Sequence, residues 1–154
     1  MAAAKKARGR ARRARTQPVT TTSKAQPEAI LTVQPHKFKA RFSDWPIGNA
    51  MIANWRREES GVAYVINDKG FMLTHRTDFD PEGHAPYRVL IDLIYVEVGS
   101  RRCGVAKHLL SQISLPAAAV PSSDEGLNLF LSQGYTKSKR FSDDYPVVLK
   151  GALG

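Results

Sequence analysis

Cysteine is almost absent from this sequence of 154 residues, because Cys103 is the only one. A single thiol excludes an internal disulfide framework as the source of stability. The four histidines are scattered and do not pair with cysteine at the spacing of a structural zinc site. We therefore predict a domain that is held together by its hydrophobic core and contains no metal.

Long hydrophobic runs are also missing. The longest candidate, residues 89–98, is interrupted by Asp92 and Glu97, and a membrane span needs roughly 20 apolar residues. The basic start of the chain continues into more arginine, whereas a secretory signal continues into an apolar stretch. We expect a cytoplasmic protein with no membrane association.

Acidic residues are missing from the first 24 positions, which carry eight lysines and arginines. Subtracting these eight charges from the net charge of +9 leaves +1 for the rest of the chain. Residues 1–27 also lack a periodic apolar face, which predicts a disordered basic tail before a single domain at 28–154. Three roles fit the basic residues at 5–24: contact with nucleic acid or another acidic surface, a targeting address, and a solvated extension without a partner.

The rest of the chain alternates between strand and helix patterns. Strands are predicted at 29–33, 62–66, 71–77, 88–98, 117–120 and 145–149, with a hairpin turn at Asp68–Gly70. One or two short helices are predicted within 38–59, and another runs from Gly104 towards Pro116. A last helix has Ser122 as its N-cap, Glu125 in a capping box, and Gly134 at its end. This order predicts an α/β sandwich with a mixed sheet.

The segment from Arg101 to Lys107 carries the clearest chemical signal. A strand leads into a turn with two arginines and Gly104, and the turn leads into an amphipathic helix. The first helical turn leaves backbone N–H groups free, and Arg101, Arg102 and Lys107 supply cationic donors. These features predict an anion site suited to phosphate oxygens.

The pattern Arg101-x-x-Gly104-x-Ala106 resembles the pyrophosphate-binding signature of the GNAT superfamily, which comprises acyl-CoA-dependent N-acetyltransferases. Val96 precedes Arg101 by the spacing that this family shows, residues 122–135 resemble its last helix, and residues 144–150 resemble its closing strand. The resemblance covers roughly the last four-fifths of the chain. It implies a GNAT-type three-layer α/β sandwich whose mixed, mostly antiparallel sheet is splayed between its fourth and fifth strands.

The resemblance also implies a donor and a mechanism. Acetyl-CoA, or another acyl-CoA, would bind in the splayed opening, and an amine of a protein or small molecule would attack its thioester directly. Main-chain groups near Val96 and Val98 would bond the pantetheine arm. The pyrophosphate would be cradled by Arg101 together with the amides of Arg102, Cys103, Gly104, Val105, Ala106 and Lys107.

Catalytic groups are less clearly marked in the sequence. A strand period of two places Asp92 on the face of Val96, where partial desolvation would raise its pKa towards that of a general base. The alternative is a structural ion pair between Asp92 and a neighbouring arginine or lysine. His75 and His84 are weaker candidates for the base, because a lone histidine at a strand end is usually a surface group.

The general acid is not evident, because this chain has Phe130 where many GNAT members carry a tyrosine. The hydroxyls of Tyr135 and Ser132 are possible substitutes. The acidic loop at 78–84 would favour a cationic amine or would only be polar, and Val89 at its twelfth position argues against a calcium loop.

Two functions of different classes remain open. One is an active N-acetyltransferase, which the preserved motif favours. The other is a GNAT-fold binding or structural protein with little catalysis, whose basic tail contacts nucleic acid or a larger assembly; Phe130 and the tail favour it. Acyl transfer to a nucleobase or to a tRNA-linked amine is a third possibility.

Overall fold

The computed structural model describes residues 28–78, 88–138 and 147–151. The predicted basic tail, the histidine and acidic residues at 79–87, and the predicted start of the last strand at Tyr145 lie outside the described residues. Seven strands, three α-helices and two short 3-10 helices are present in the described ranges. The strands are β1 Leu31–Val33, β2 Val62–Ile66, β3 Gly70–Arg76, β4 Val89–Val96, β5 Ala117–Ala119, β6 Thr136–Lys137 and β7 Val148–Lys150. The helices are α1 Pro46–Trp55, α2 Val105–Leu110 and α3 Asp124–Ser132.

The strands form one mixed sheet in the order β1-β2-β3-β4-β5-β7-β6. Neighbouring strands are antiparallel except β4 and β5, which pair in parallel. This parallel pairing covers only Val89 to Ile91 on β4, opposite Ala117 to Ala119 on β5. The remainder of β4 continues to Val96 without a partner in β5, so the two strands open into the predicted splay.

Helices cover both faces of the sheet and give three layers. On one face α2 and α3 pack on the sheet through a core that includes Leu109, Phe130 and Val148. On the other face α1 packs on a second core that includes Ile52 and Trp55. The Trp55 indole Nε1 donates a hydrogen bond of 2.8 Å to the Thr74 carbonyl, which ties α1 to β3. The predicted fold class is therefore confirmed.

A β-bulge in β4 corrects the expected orientation of Asp92. Leu73 pairs with Leu93 while Thr74 pairs with Ile91, so Asp92 is the extra residue on β4. A bulge interrupts the alternation of side chains along a strand. The Asp92 carboxylate contacts His75, which lies two residues from Leu73 on the α1 face of β3. Val96 packs with the core on the opposite face, so the prediction that the two residues share a face was wrong.

Several element boundaries also differ from the sequence predictions. The helix α2 has only six residues and ends at Leu110, well before Pro116. The N-cap of α3 is Ser123, whose hydroxyl accepts a hydrogen bond from the Gly126 amide, so the capping box based on Ser122 was wrong. Strand β6 was not predicted, because two exposed residues carry no readable alternation. Gly134 has a φ of 92°, which confirms its left-handed place after α3.

Candidate functional site

A cavity of about 610 Å³ lies in the opening between β4 and β5. Its walls are residues 91–96 of β4, the turn and first part of α2, and the segment from Ala119 into α3. Trp45 and Met51 close the cavity from the α1 side of the sheet. The cavity therefore reaches both faces of the sheet through the splay.

Most residues of the predicted donor site line this cavity. They are Val96, Arg101, Arg102, Gly104, Val105, Ala106 and Lys107. Val98 and Cys103 are not among the lining residues: Val98 belongs to an exposed 3-10 turn, and the exposed Cys103 directs its thiol towards the Arg101 carbonyl. The cationic part of the predicted site is thus brought together at one end of the cavity.

The turn before α2 has an unusual backbone. Arg102 has a φ of 65° and Gly104 a φ of 81°, both in the left-handed region. A Cβ atom on Gly104 would meet no atom within 4 Å, so the space beside this glycine is open. Left-handed residues within a turn can direct successive N–H groups to one side and form a concave anion-binding surface. This backbone suits the close approach of a phosphate group.

Arg101 also has a structural contact. Its Nε donates a hydrogen bond of 3.0 Å to the Val96 carbonyl, which connects the turn to the splayed end of β4. Main-chain groups near Val96 were expected to bond the pantetheine arm, and the second lone pair of this carbonyl remains for such a contact. Arg101 therefore holds the edge of the cavity as well as adding charge to it.

Asp92 lies on the cavity wall and is paired with His75. The Nδ1 atom of His75 is 2.7 Å from Oδ2 of Asp92, and the two side chains are 16% and 22% exposed. Burial raises the pKa of the Asp92 carboxyl above its usual value, and the charge of Glu58 raises it further. The hydrogen bond and charge of His75 lower the same pKa. Within the described ranges Asp92 has no ion pair with arginine or lysine, so its partner is the histidine.

The possible substitutes for a general acid lie away from the cavity. Phe130 lines it, and the Tyr135 ring packs edge-on against Phe130 at 5.0 Å between ring centroids. Burial raises the pKa of Tyr135 to about 12. The Ser132 hydroxyl donates to the Leu129 carbonyl at 2.7 Å. Neither Tyr135 nor Ser132 is among the residues that line the cavity.

Sequence reasoning missed several residues of the site. Trp45 lines the cavity and packs on Phe42 with ring centroids 4.8 Å apart. Ser122 and Ser123 line the wall beyond β5. Glu58 influences Asp92 although the two residues are 34 positions apart in the chain. No local pattern could indicate these residues, because only the tertiary fold brings them to the cavity or near Asp92.

None of the helices in the described ranges is long and apolar enough to cross a membrane. Nor do these ranges contain a group of three or more histidine, cysteine, aspartate or glutamate side chains that could hold a metal ion.

Comparisons with known proteins give matches in structure only. No protein-family model matches the sequence, and no curated protein matches it. The structure of AtaTR bound with acetyl-CoA superposes with a TM-score of 0.56 at 10% sequence identity, covering 79% of this chain and 92% of the other. Ard1 from Thermoplasma volcanium gives a TM-score of 0.51 at 16% identity, covering 82% and 98%.

A third solved structure is similar to the same degree. It is described as histone acetyltransferase HPA2 and related acetyltransferase from Corynebacterium glutamicum, with a TM-score of 0.54 at 14% identity. The match covers 78% of this chain and 83% of the other. At such low identity these likenesses define the fold alone.

Proposed function

On the GNAT fold that these likenesses show, we propose that the chain is an N-acetyltransferase that moves the acetyl group of acetyl-CoA to an amine of a protein or small molecule. The observation that carries the proposal is the cavity that crosses the sheet at the splay. It has a cationic turn at one end and a partly buried carboxylate on its wall. A donor and an acceptor can therefore approach each other from the two faces of the sheet.

The donor end suits a CoA pyrophosphate. Arg101, Arg102 and Lys107 line it, and phosphate groups accept strong charge-assisted hydrogen bonds from such side chains. The open space beside Gly104 lets a phosphate approach the backbone. A cavity of about 610 Å³ lies in the range of ordinary small-molecule sites. Two neighbours, AtaTR and a mutant of the AtaT toxin bound to the antitoxin AtaR, were solved with acetyl-CoA, which supports the same donor here.

The chemistry requires a free amine beside the thioester. Asp92 takes the proton of the acceptor ammonium, and the nitrogen lone pair attacks the thioester carbonyl carbon. The C–N bond forms, the C–S bond breaks, and the thiolate leaves with the electron pair. The thiolate takes up the second proton that the nitrogen loses, so the products are the acetylated amine and CoA thiol. Direct attack needs no covalent intermediate on the protein, so Cys103 has no part in it.

Acetyl transfer can be measured by the release of CoA thiol from acetyl-CoA with three amine probes: a lysine-containing peptide, a peptide with a free α-amine, and spermidine. We expect the native chain to acetylate at least one probe. Asp92→Asn should lower kcat by about 10²–10⁴-fold, because general-base catalysis contributes that much. The KM for acetyl-CoA should not change.

The matched control is Asp68→Asn, which makes the same chemical change in the hairpin turn between β2 and β3. It should leave kcat unaltered. Absence of amine-dependent thiol release from a folded native chain would contradict the proposal, as would an Asp92→Asn variant with native kcat.

A second candidate is a GNAT-fold binding protein with little catalysis. Phe130 on the cavity wall favours it, because no tyrosine hydroxyl stands at that position. In this case the basic residues at 5–24 would contact nucleic acid or a larger assembly. Two results together would support this candidate. One is acetyl-CoA binding without transfer to any probe, and the other is salt-sensitive retention on DNA or RNA that disappears when these residues are replaced by serine.

For either candidate we propose the cytoplasm, since a single unpaired cysteine suits a reducing compartment.

A further inference from the structure

His75 and Asp92 form a contact between neighbouring strands that the donor site does not require. The distance between Nδ1 and Oδ2 is 2.7 Å. Asp92 lines the main cavity, whereas His75 lines a neighbouring cavity of about 590 Å³ with Glu58 and Arg88. The imidazole therefore contacts the carboxylate from outside the main cavity.

The bulge makes this contact important for the position of Asp92. As the extra residue of β4, Asp92 has no partner in the register of β3. The backbone ladder therefore does not fix its side chain in the usual way. Among the described residues, His75 is the one side chain that forms a hydrogen bond with the carboxylate.

We propose that His75 is a positioning residue for the acetyl transfer inferred above, on which this inference rests. Its Nδ1–H donates to Oδ2, keeps the Asp92 carboxylate ionised, and leaves Oδ1 to accept the proton of the acceptor ammonium. The N–H bond of the ammonium breaks as the O–H bond at Oδ1 forms. The freed lone pair then attacks the thioester, so no further reactant is needed.

Opposing influences act on the pKa of Asp92. Desolvation and the charge of Glu58 raise the pKa of Asp92, while the hydrogen bond and charge of His75 lower it. A carboxyl group that is already protonated cannot accept the proton of an amine. Removing His75 should therefore raise the pKa of Asp92, and removing the charge of Glu58 should lower it.

Within the part of the chain that the structure describes, the other charged groups beside His75 come from three segments. Glu58 follows α1, Arg76 and Asp78 lie at the end of β3, and Arg88 precedes β4. The main cavity adds further charged side chains from the turn before α2, from α2 and from α3: Arg101, Arg102, Lys107 and Glu125. The variants below leave all of these groups unchanged except Glu58, so their influence is common to the variants compared.

The experiment measures kcat and KM of the full chain from about pH 5.5 to 9.5, with acetyl-CoA and whichever of the three amine probes the native chain acetylates. His75→Leu removes the donor. His75→Asn keeps an N–H donor near the place of Nδ1 but carries no ring that titrates. Glu58→Gln removes a charge that acts on Asp92 in the opposite direction.

We expect His75→Leu to lower kcat by about tenfold or more, which is part of the rate enhancement that a general base contributes. The KM for acetyl-CoA should stay unchanged. The acid limb of the pH profile of kcat should move to higher pH in this variant, because the pKa of Asp92 rises. His75→Asn should recover most of the kcat at high pH, and Glu58→Gln should move the acid limb to lower pH.

A purely structural role for His75 predicts a different result. The melting temperature would fall while the shape of the pH profile stayed native, and this outcome overturns the inference. Failure of His75→Asn to recover kcat in a folded protein overturns it as well.

A readout without turnover separates this inference from the proposed function. The carboxyl carbon of Asp92 can be titrated by NMR in the native chain and in His75→Leu. An Asp92 pKa that is not higher in the variant overturns the inference whether or not acetyl transfer occurs. A native chain without acetyl transfer contradicts the proposed function instead.

Discussion

At the scale of single residues, the turn before α2 combines backbone strain with positive charge. Arg102 holds a left-handed φ of 65° and lines the cavity, and Asp68 holds a φ of 60° in a hairpin turn away from it. Non-glycine residues adopt this conformation at a cost of roughly 1–2 kcal/mol. Strain of this kind clusters at functional sites. Substitutions at the two residues can therefore separate the effect of backbone strain on stability from the effect of the side chain on acetyl-CoA binding.

We predict that Arg102→Gly and Asp68→Gly have the same small effect on stability. Relief of the left-handed strain offsets the greater flexibility of glycine in the unfolded chain, so the free energy of unfolding should change by less than about 1 kcal/mol. Only Arg102→Gly should weaken acetyl-CoA binding. We expect a loss of about five- to tenfold, the affinity change that roughly 1 kcal/mol at an exposed ionic contact produces.

Chemical denaturation and calorimetry would measure these two quantities. Equal losses of acetyl-CoA affinity in both glycine variants would show that Arg102 does not contact the donor. A large stability loss in Arg102→Gly alone would show that its side chain is needed for folding.

At the scale of elements, the N-cap of α3 defines where the helix begins after β5. The Ser123 hydroxyl accepts from the Gly126 amide at 3.0 Å, whereas Ser122 is exposed and makes no side-chain hydrogen bond to another described residue. Ser123→Ala should therefore lower the free energy of unfolding by about 1 kcal/mol, the usual value of a serine cap. Ser122→Ala, the matched control, should change it by less than about 0.5 kcal/mol. Thermal or urea unfolding measures both, and the reverse ranking would contradict the assignment of the cap.

Most elements could be predicted from the sequence because their patterns are local. The hairpin of β2 and β3 has apolar residues with a high preference for strands on both sides of a polar turn, and α3 has an apolar face that ends at a glycine. The segment Arg101–Lys107 could also be placed, since its glycine and its cations are adjacent in the chain.

The remaining features depend on pairing between distant segments. The bulge at Asp92 exists because β4 has one residue more than the facing part of β3, and a single strand pattern does not reveal this difference. For the same reason the sequence did not indicate that His75 would meet Asp92 across the strands. The wrong N-cap arose because Ser122 and Ser123 have the same capping chemistry and only the backbone distinguishes them.

At the scale of the whole molecule, the splay between β4 and β5 forms the cavity that these residues line or adjoin. Parallel pairing of β4 and β5 stops at Ile91, and the opening beyond it passes through the sheet. The charged turn lies at the edge of this opening, while Asp92 and His75 approach it from the α1 face. The fold thus places the charged turn and the Asp92 carboxylate in different parts of one cavity, the parts that the proposed function assigns to the donor and the acceptor.

The central claim is that the donor end binds acetyl-CoA, and titration calorimetry of the full chain tests it most directly. Gly104 is the position to change, because a side chain there enters open space beside the turn. Gly104→Ala and Gly104→Glu share the backbone strain of a φ of 81°. The difference between their affinities for acetyl-CoA therefore reports the effect of the charged side chain.

We predict a Kd on the order of micromolar for the native chain, and a Kd within about threefold of it for Gly104→Ala. For Gly104→Glu the Kd should be at least about 30-fold weaker, or roughly 2 kcal/mol, because a carboxylate would face the pyrophosphate. No binding by the folded native chain, or equal affinities of the two variants, would contradict the account.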